Sequence, residues 1–346
     1  MSARPRRPPK RATGPLPALT APLVRTVGGA VRSGLRTQPF QRDPAFIAEL
    51  SPLLTAVNAY FGTELEGWEH VPKQGPCLLV GNHSGGAGTN DFAFLLYHWL
   101  KERGPEAPLY GLAYNLLFSA PLLGTALRRM GVVPASHTNA RKALAMGAAV
   151  AVFPGGDYEV FRPWSERNRI DFAGRMGFIT LAISSGVPVV PMTIHGAHQS
   201  TLVLTRGRRL AQLAGMDRLA VNVFPLIWNI PLGLTPAFVP SLQLPSKVTV
   251  HFGAPLDWSG YGARQARDPM VLQACYAQIT GVMQQTLNRL ARRRPYPVLT
   301  RLRELSLGTA LRQLEDLFAQ PPSPRSRRPR TRQRSAAGRA HRPRSI

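Results

Sequence analysis

Strands alternating with helices through the middle of the chain predict one α/β domain, with a mixed or largely parallel sheet flanked by helices. Three observations carry that expectation. Short apolar runs, such as Cys77-Leu78-Leu79-Val80, have the length of buried strands. Between them lie segments whose apolar residues recur three and four apart. Glycine and proline clusters punctuate the joins.

The elements follow in order. Asp43 to Tyr60 predicts a helix, with Phe46, Leu50, Leu53, Leu54, Val57 and Tyr60 on one face. Glu64 to His70 reads as a short strand, and Pro72 to Pro76 turns the chain into the strand that ends near Val80. Phe92 to Leu100 is expected to be helical, and Leu109 to Arg129 to form one or two apolar helical pieces. Gly131-Val132-Val133 is a short strand, Thr138 to Gly147 a helix, and Ala149 to Phe153 a strand ending in Pro154-Gly155-Gly156-Asp157. A helix over Gly177 to Ser185, strands over Val187 to Thr193 and Lys247 to Phe252, and a helix from about Pro269 to Arg292 complete the reading.

The chain has 346 residues, 44% of them apolar, enough for a sizeable core. Its formal charge of +25 suggests a nucleic-acid partner until the charge is located. Residues Met1 to Arg36 carry eight Lys/Arg and no acid, and the segment from Ala319 carries nine Arg and no acid. The remainder holds only +8 once those seventeen are set aside. Such Pro-, Arg- and Ser-rich ends cannot bury a core. The expected organisation is a basic disordered arm over 1–37, a domain over 38–295, and a C-terminal helix with an Arg-rich disordered tail over 296–346. The basic start lacks the uninterrupted apolar stretch of a secretory signal, while its Arg-rich, acid-free composition also fits an organellar transit peptide. Two cysteines, Cys77 and Cys275, offer neither a disulfide framework nor a zinc pattern, and Cys77 reads as a core residue.

Two uncharged stretches raise a membrane question. Leu219 to Ser246 is punctuated by Pro225, Pro231, Pro236 and Pro240, and Ala107 to Leu127 contains Pro108 and Pro121. A spanning helix must satisfy its own backbone, so both read as apolar surface at a bilayer interface or as plain core.

The chemistry concentrates after the strand at Val80. Asn82-His83-Ser84-Gly85-Gly86 is followed by Asp91 across a glycine-rich loop, in a strand-to-helix connection where α/β proteins tend to carry their sites. An imidazole takes a proton near neutral pH, and a carboxylate within reach fixes its tautomer and raises its basicity. His83 and Asp91 are therefore the candidate base and its partner; Asp91 in a plainer role would cap the following helix.

Four motifs in order, Asn82-His83…Asp91, Gly131-Val132-Val133-Pro134, Phe153-Pro154-Gly155-Gly156 and Val187-Pro188-Val189-Val190-Pro191, resemble the phospholipid/glycerol acyltransferase family, relatives of lysophosphatidic acid acyltransferase. The resemblance covers about Gly75 to Pro191 and extends more weakly to Leu256. It implies a glycerolipid-acyltransferase-like domain that moves a fatty acyl group from an acyl thioester to a hydroxyl of a lysophospholipid or glycerolipid. The donor would be acyl-CoA or an acyl carrier protein, a co-substrate rather than a cofactor. It also implies a role in phospholipid biosynthesis and a place on the cytoplasmic face of a membrane. His83 would act as base, without a metal or covalent acyl-enzyme. The family separates its His and Asp by four residues, whereas seven stand between His83 and Asp91, a form resembling a subgroup with the Asn-His-Ser-Gly-Gly signature. His137 stands where the family carries a phosphate-binding Arg, and an imidazole is a poorer phosphate partner than a guanidinium; Arg141 lies one turn on. Gly155 replaces the Glu of the third motif, with Asp157 and Glu159 nearby. Asn82, Ser84, Gly85, Gly86, His137, Gly155, Gly156, Asp157 and Arg162 are the expected substrate contacts. Among Arg162, Arg167, Arg169 and Arg175, Arg162 is nearest the loop. Backbone N–H groups of the Pro-Gly-Gly turn would hold an oxyanion, and Pro188 is assigned no chemistry.

Two rivals stand beside this reading. Ser84 follows a strand and precedes a helix, as an esterase nucleophile does, but Asn82 occupies a place where the nucleophile elbow needs Gly. A basic membrane- or nucleic-acid-binding protein would use the Arg-rich ends, yet the middle of the chain has no zinc-finger spacing or RNA-binding aromatic motif, so no specific nucleic acid is expected. The ends are instead expected to draw the protein to an anionic membrane surface.

Overall fold

The computed structural model describes residues 38–84, 90–213, 223–237, 239 and 241–305. The expectations for the basic arm, for Gly85 and Gly86, and for the Arg-rich tail lie outside the described residues.

Helices α1 (Pro44–Glu49) and α2 (Ser51–Phe61) come first, followed by strands β1 (Glu64–Glu66) and β2 (Cys77–Gly81). Helix α3 (Asp91–Arg103), strand β3 (Leu109–Ala113), helix α4 (Pro121–Arg129), strand β4 (Val132–Pro134) and helix α5 (His137–Ala145) follow. Next are β5 (Ala149–Val152), the short α6 (Gly156–Val160), α7 (Gly177–Ser185) and β6 (Val189–His195). Then come β7 (Leu202–Thr205), α8 (Arg208–Leu213), β8 (Leu226–Asn229) and β9 (Gly233–Pro236). Strand β10 (Thr249–Phe252) and helices α9 (Pro269–Arg293) and α10 (Pro297–Glu304) complete the order.

Among the described residues the strands form two sheets. The large one has the order β1-β10-β6-β2-β5-β3-β4. Strands β6, β2, β5, β3 and β4 run parallel, and β10 is antiparallel to β6. The small one, β7-β8-β9, is antiparallel. The α/β class with a mixed, mostly parallel sheet is thus as the sequence predicts.

Alternation along β2 divides the core between the two faces of the sheet. Leu78 and Val80 join Val150 and Val189 under α5, α7 and α9. Cys77 and Leu79 join Ala151, Val190 and Val250 under α1, α2 and α3. Burial on both faces explains why these strands are continuous apolar runs. Burial also pushes the Cys77 thiol up to about 12, which makes it a packing residue.

Three expectations change. The strand read over Glu64 to His70 covers only Glu64–Glu66; Gly67 turns the chain in the left-handed region and Trp68–His70 is a 3-10 helix. The helix read over Asp43 to Tyr60 is two helices joined at Leu50, with Pro52 in the first turn of the second. The missing proline N–H suits a helix start and not an interior. Leu109 to Arg129 is not all helical: Leu109–Ala113 is a sheet strand, Asn115–Ser119 a 3-10 turn, and only α4 is α-helix.

Among the described residues no helix is long and apolar enough to cross a membrane. The uncharged stretch from Leu219 contains the β8–β9 hairpin, whose Ile227 is buried while Trp228 is exposed.

Candidate active site

The C-terminal ends of β2 and β5 deliver the two motif loops side by side, because these strands are direct parallel neighbours. Gly81, the last residue of β2, has no room for a side chain. A Cβ there would lie 2.6 Å from the Met192 methyl and 2.7 Å from the Phe153 ring. That close approach lets Phe153 stack on the His83 imidazole, with centroids 4.7 Å apart and planes 23° from parallel.

Asn82 is buried and bonds the β6 backbone on both sides, accepting from the Ile194 N–H at 2.7 Å and donating to the Ile194 carbonyl at 2.9 Å. It locks the loop to the sheet. Asp91 is the first residue of α3, yet its carboxylate turns back to the loop. Oδ2 lies 2.6 Å from His83 Nδ1 and accepts the Ser84 N–H at 2.8 Å, while Oδ1 accepts the Ser84 hydroxyl at 2.7 Å. The Asp91 side chain is fully buried and that of His83 is 21% exposed. An acceptor-only carboxylate at Nδ1 puts the proton there and leaves Nε2 as the basic nitrogen.

The His83 backbone is held from both sides by α6 and the residues just after it. Glu159 Oε2 accepts the His83 N–H at 2.8 Å, and Arg162 Nη1 donates to the His83 carbonyl at 2.9 Å. Glu159 and Arg162 form an ion pair at 3.3 Å, three residues apart and both buried. Burial pushes the Glu159 carboxyl up to about 7, against the opposing pull of Arg162.

Gly155 explains how the glutamate fits. A Cβ at 155 would lie 2.3 Å from Glu159 Oε2 and 2.4 Å from its Cβ. The Glu159 side chain occupies the space that a residue at 155 would otherwise fill. In the sequence Glu159 stands out only as an acid near Gly155; the signal for its place is a side-chainless 155 followed by Glu159-x-x-Arg162.

Arg162, expected to be a substrate contact, is 1% exposed and gives its donors to the carbonyls of His83, Glu159 and Arg167. It supports the loop and does not face solvent. Arg175 stands at the surface of the third motif, donating to the Pro154 and Gly155 carbonyls and to Asp157 Oδ1, the last at 2.8 Å. Gly156 adjoins the same guanidinium. Arg167 stacks on Trp164, and Arg169 pairs with Asp171 at 3.4 Å. His137 is exposed at the start of α5, its Nε2 3.0 Å from where a Cβ on Gly177 would sit, two residues from Arg175. Arg141 is exposed further along that helix. The geometry therefore joins His83, Asp91, Ser84, Gly155 and Glu159 in one cluster, with Asp157 and Arg175 on its rim.

The family model Acyltransferase matches residues 62–195, which include every element of this cluster. An uncharacterized protein of Mycobacterium tuberculosis is 34% identical over 277 residues, covering 78% of this chain and 75% of its own length. Phytyl ester synthase 2, chloroplastic, of Arabidopsis thaliana is 25% identical over 244 residues, covering 66% of this chain and 34% of the synthase. The crystal structure of the 1-acyl-sn-glycerophosphate acyltransferase of Thermotoga maritima superposes with a TM-score of 0.45 at 19% identity, covering 80% of this chain and 94% of that one. The chain is an acyltransferase, a member of the phospholipid/glycerol acyltransferase family.

Proposed function

We propose that this enzyme moves a fatty acyl group from an acyl thioester, carried by coenzyme A or an acyl carrier protein, to a hydroxyl of a lipid acceptor, with His83 as general base. The observation that carries the reading is the buried Asp91 carboxylate on His83 Nδ1 at 2.6 Å, beside an imidazole that remains partly open to solvent. In the proposed step Nε2 takes the acceptor's hydroxyl proton as its oxygen attacks the thioester carbonyl. The Gly155 N–H stabilises the oxyanion, because Pro154 has no N–H and that of Gly156 closes the turn onto the Phe153 carbonyl at 3.1 Å. The C–S bond then breaks and the imidazolium returns the proton to the departing thiolate, leaving ester and free thiol.

Ser84 is not read as a nucleophile, since its hydroxyl is donated to Asp91 and not to the imidazole. The acceptor is proposed to be a lysophospholipid, a glycerolipid or a long-chain alcohol. The alcohol enters because one relative is named a phytyl ester synthase and because His137 stands where the family carries an Arg. Association with the cytoplasmic face of an anionic membrane belongs to the same proposal.

The test is thiol release by purified protein over a panel of acyl thioesters and these acceptors. His83→Ala is expected to lower turnover by about 10²–10⁴-fold, and Asp91→Ala to follow it. Ser84→Ala should cost less, about 10–10²-fold at most, the worth of one hydrogen bond to a charged group. Acceptor-dependent release that survives His83→Ala and dies with Ser84→Ala would overturn the assignment.

A further inference from the structure

We infer that the outer face of the β7-β8-β9 sheet is the surface on which this protein docks to an anionic lipid bilayer, bringing the mouth of the site to the membrane. The inference takes from the proposed function only that the acceptor is a lipid.

The small sheet has two unlike faces. Its inner face buries Val203, Ile227 and Ala237 against Phe161, the residue after α6. Its outer face aligns Leu202, Trp228 and Leu234 in one cross-strand row, all exposed, Trp228 at 54%. The turn between β8 and β9 adds Ile230 and Leu232, the latter 62% exposed. Alternation in β8 accounts for both faces, since Ile227 and Trp228 must point opposite ways. Exposed apolar residues scattered singly need no explanation, but a contiguous set centred on a tryptophan marks an interaction surface.

Hydrogen bonds connect this face to the site. The Leu242 N–H donates to the Ile230 carbonyl, and the next residue, Gln243, accepts from the Asn90 side-chain amide at 2.9 Å. Asn90 precedes Asp91, the partner of His83. On the other flank, Tyr114 directly follows β3, which pairs with β5 on the side away from β2. Tyr114 and Leu122 are both exposed there, Leu122 at 89%. Apolar side chains therefore stand on both sides of the motif loops.

Charge selects the occupant. Between Asp171 and Asp257 the sequence holds a single acid, Asp217, and Arg208 and Arg209 stand exposed directly after β7. A face that is apolar at its centre and basic at its edge, with an interfacial tryptophan, suits acyl chains beneath anionic headgroups. A second copy of the same chain would bring like charges together.

The test uses the full chain with phosphatidylcholine vesicles, with and without phosphatidylglycerol, carrying brominated acyl chains that quench tryptophan. Wild type is expected to bind the anionic vesicles and to lose emission, and Trp228→Phe to remove most of that quenching. At about 1 M NaCl, where the Debye length is ~3 Å, binding through the basic ends is screened while quenching of Trp228 persists. Leu232→Asp with Leu234→Asp should weaken high-salt binding at least about tenfold, because two aspartates must enter the interface. Thiol release with a micellar acceptor should be retained, which also verifies folding. Equal quenching of wild type and Trp228→Phe overturns the inference even if the double variant fails to fold. So does a double variant that binds vesicles unchanged while shifting from dimer to monomer on gel filtration. Vesicle binding needs no turnover, so failure of the acyl-transfer reading and failure of the docking face appear in different assays.

Discussion

His83 is held by its peptide group as well as by its ring. Asp91 fixes the imidazole, while Glu159 and Arg162 take the N–H and the carbonyl of the same residue. Removing one partner from a buried ion pair leaves the other uncompensated, so Glu159→Ala should destabilise the fold by about 3–5 kcal/mol. Glu159→Gln keeps an acceptor for the His83 N–H and should cost less. The two variants also differ in how stability follows pH. Burial raises the Glu159 carboxyl from 4.5 to about 7, so the folded protein holds that proton more tightly than the unfolded chain does. Its contribution is complete below about 4.5 and is lost as pH rises through about 7. Glutamine cannot titrate, so the stability difference between wild type and Glu159→Gln should move in the variant's favour across that window. Urea denaturation of both proteins at pH 5 and pH 8 measures it; a constant difference would mean that Glu159 does not titrate there. The His83–Asp91 pair was legible in the sequence because a strand-to-helix loop confines both residues. The role of Glu159 was not, because it depends on the space left by Gly155, a three-dimensional fact that no spacing rule encodes.

At the scale of elements, the parallel pairing of β2 and β5 determines which loops meet, and Gly81 determines how closely. In Gly81→Ala the new methyl would fall 2.7 Å from the Phe153 ring, which must move, and the stacked imidazole moves with it. Displacements of about 1 Å in a catalytic group cost up to about 10²-fold, so turnover should fall well before stability does. Steady-state thiol release alongside a thermal melt checks this, and an unchanged rate would mean that the stack does not position His83. The same layer of organisation shows where sequence reading failed. Central strands such as β2 and β6 were legible as short apolar runs between turn residues. Strand β3 was not: Leu109-Tyr110-Gly111-Leu112-Ala113 sits inside a longer uncharged run, and a strand buried within a sheet lacks the alternation that would separate it from a helix. The β8–β9 hairpin was hidden for the opposite reason. Its outward positions are apolar too, so the polar half of the expected alternation is missing.

For the molecule as a whole, the proposed docking would divide one task between the basic ends, acting at long range, and the apolar sheet face, acting on contact. Seventeen of the basic residues lie in Met1 to Arg36 and the segment from Ala319, leaving +8 for the rest of the chain. Each basic residue near an anionic surface contributes about 1 kcal/mol, an attraction that fades beyond a Debye length of ~8 Å at physiological salt. Apolar burial acts only on contact but is not screened. Deleting residues 1–36 and 319–346 should therefore weaken binding to phosphatidylglycerol-containing vesicles at low salt and flatten its dependence on NaCl. Quenching of Trp228 by brominated lipid at high salt should remain. Thiol release with a micellar acceptor should also remain, since His83, Asp91, Glu159 and Arg162 all lie within the family match at 62–195. Vesicle co-sedimentation across a salt series, paired with that turnover assay, separates the contributions. A truncated protein whose binding keeps the full salt slope would place the electrostatic attraction on the folded domain. A truncated protein that binds as before but no longer turns over would give the basic ends a part in the reaction itself.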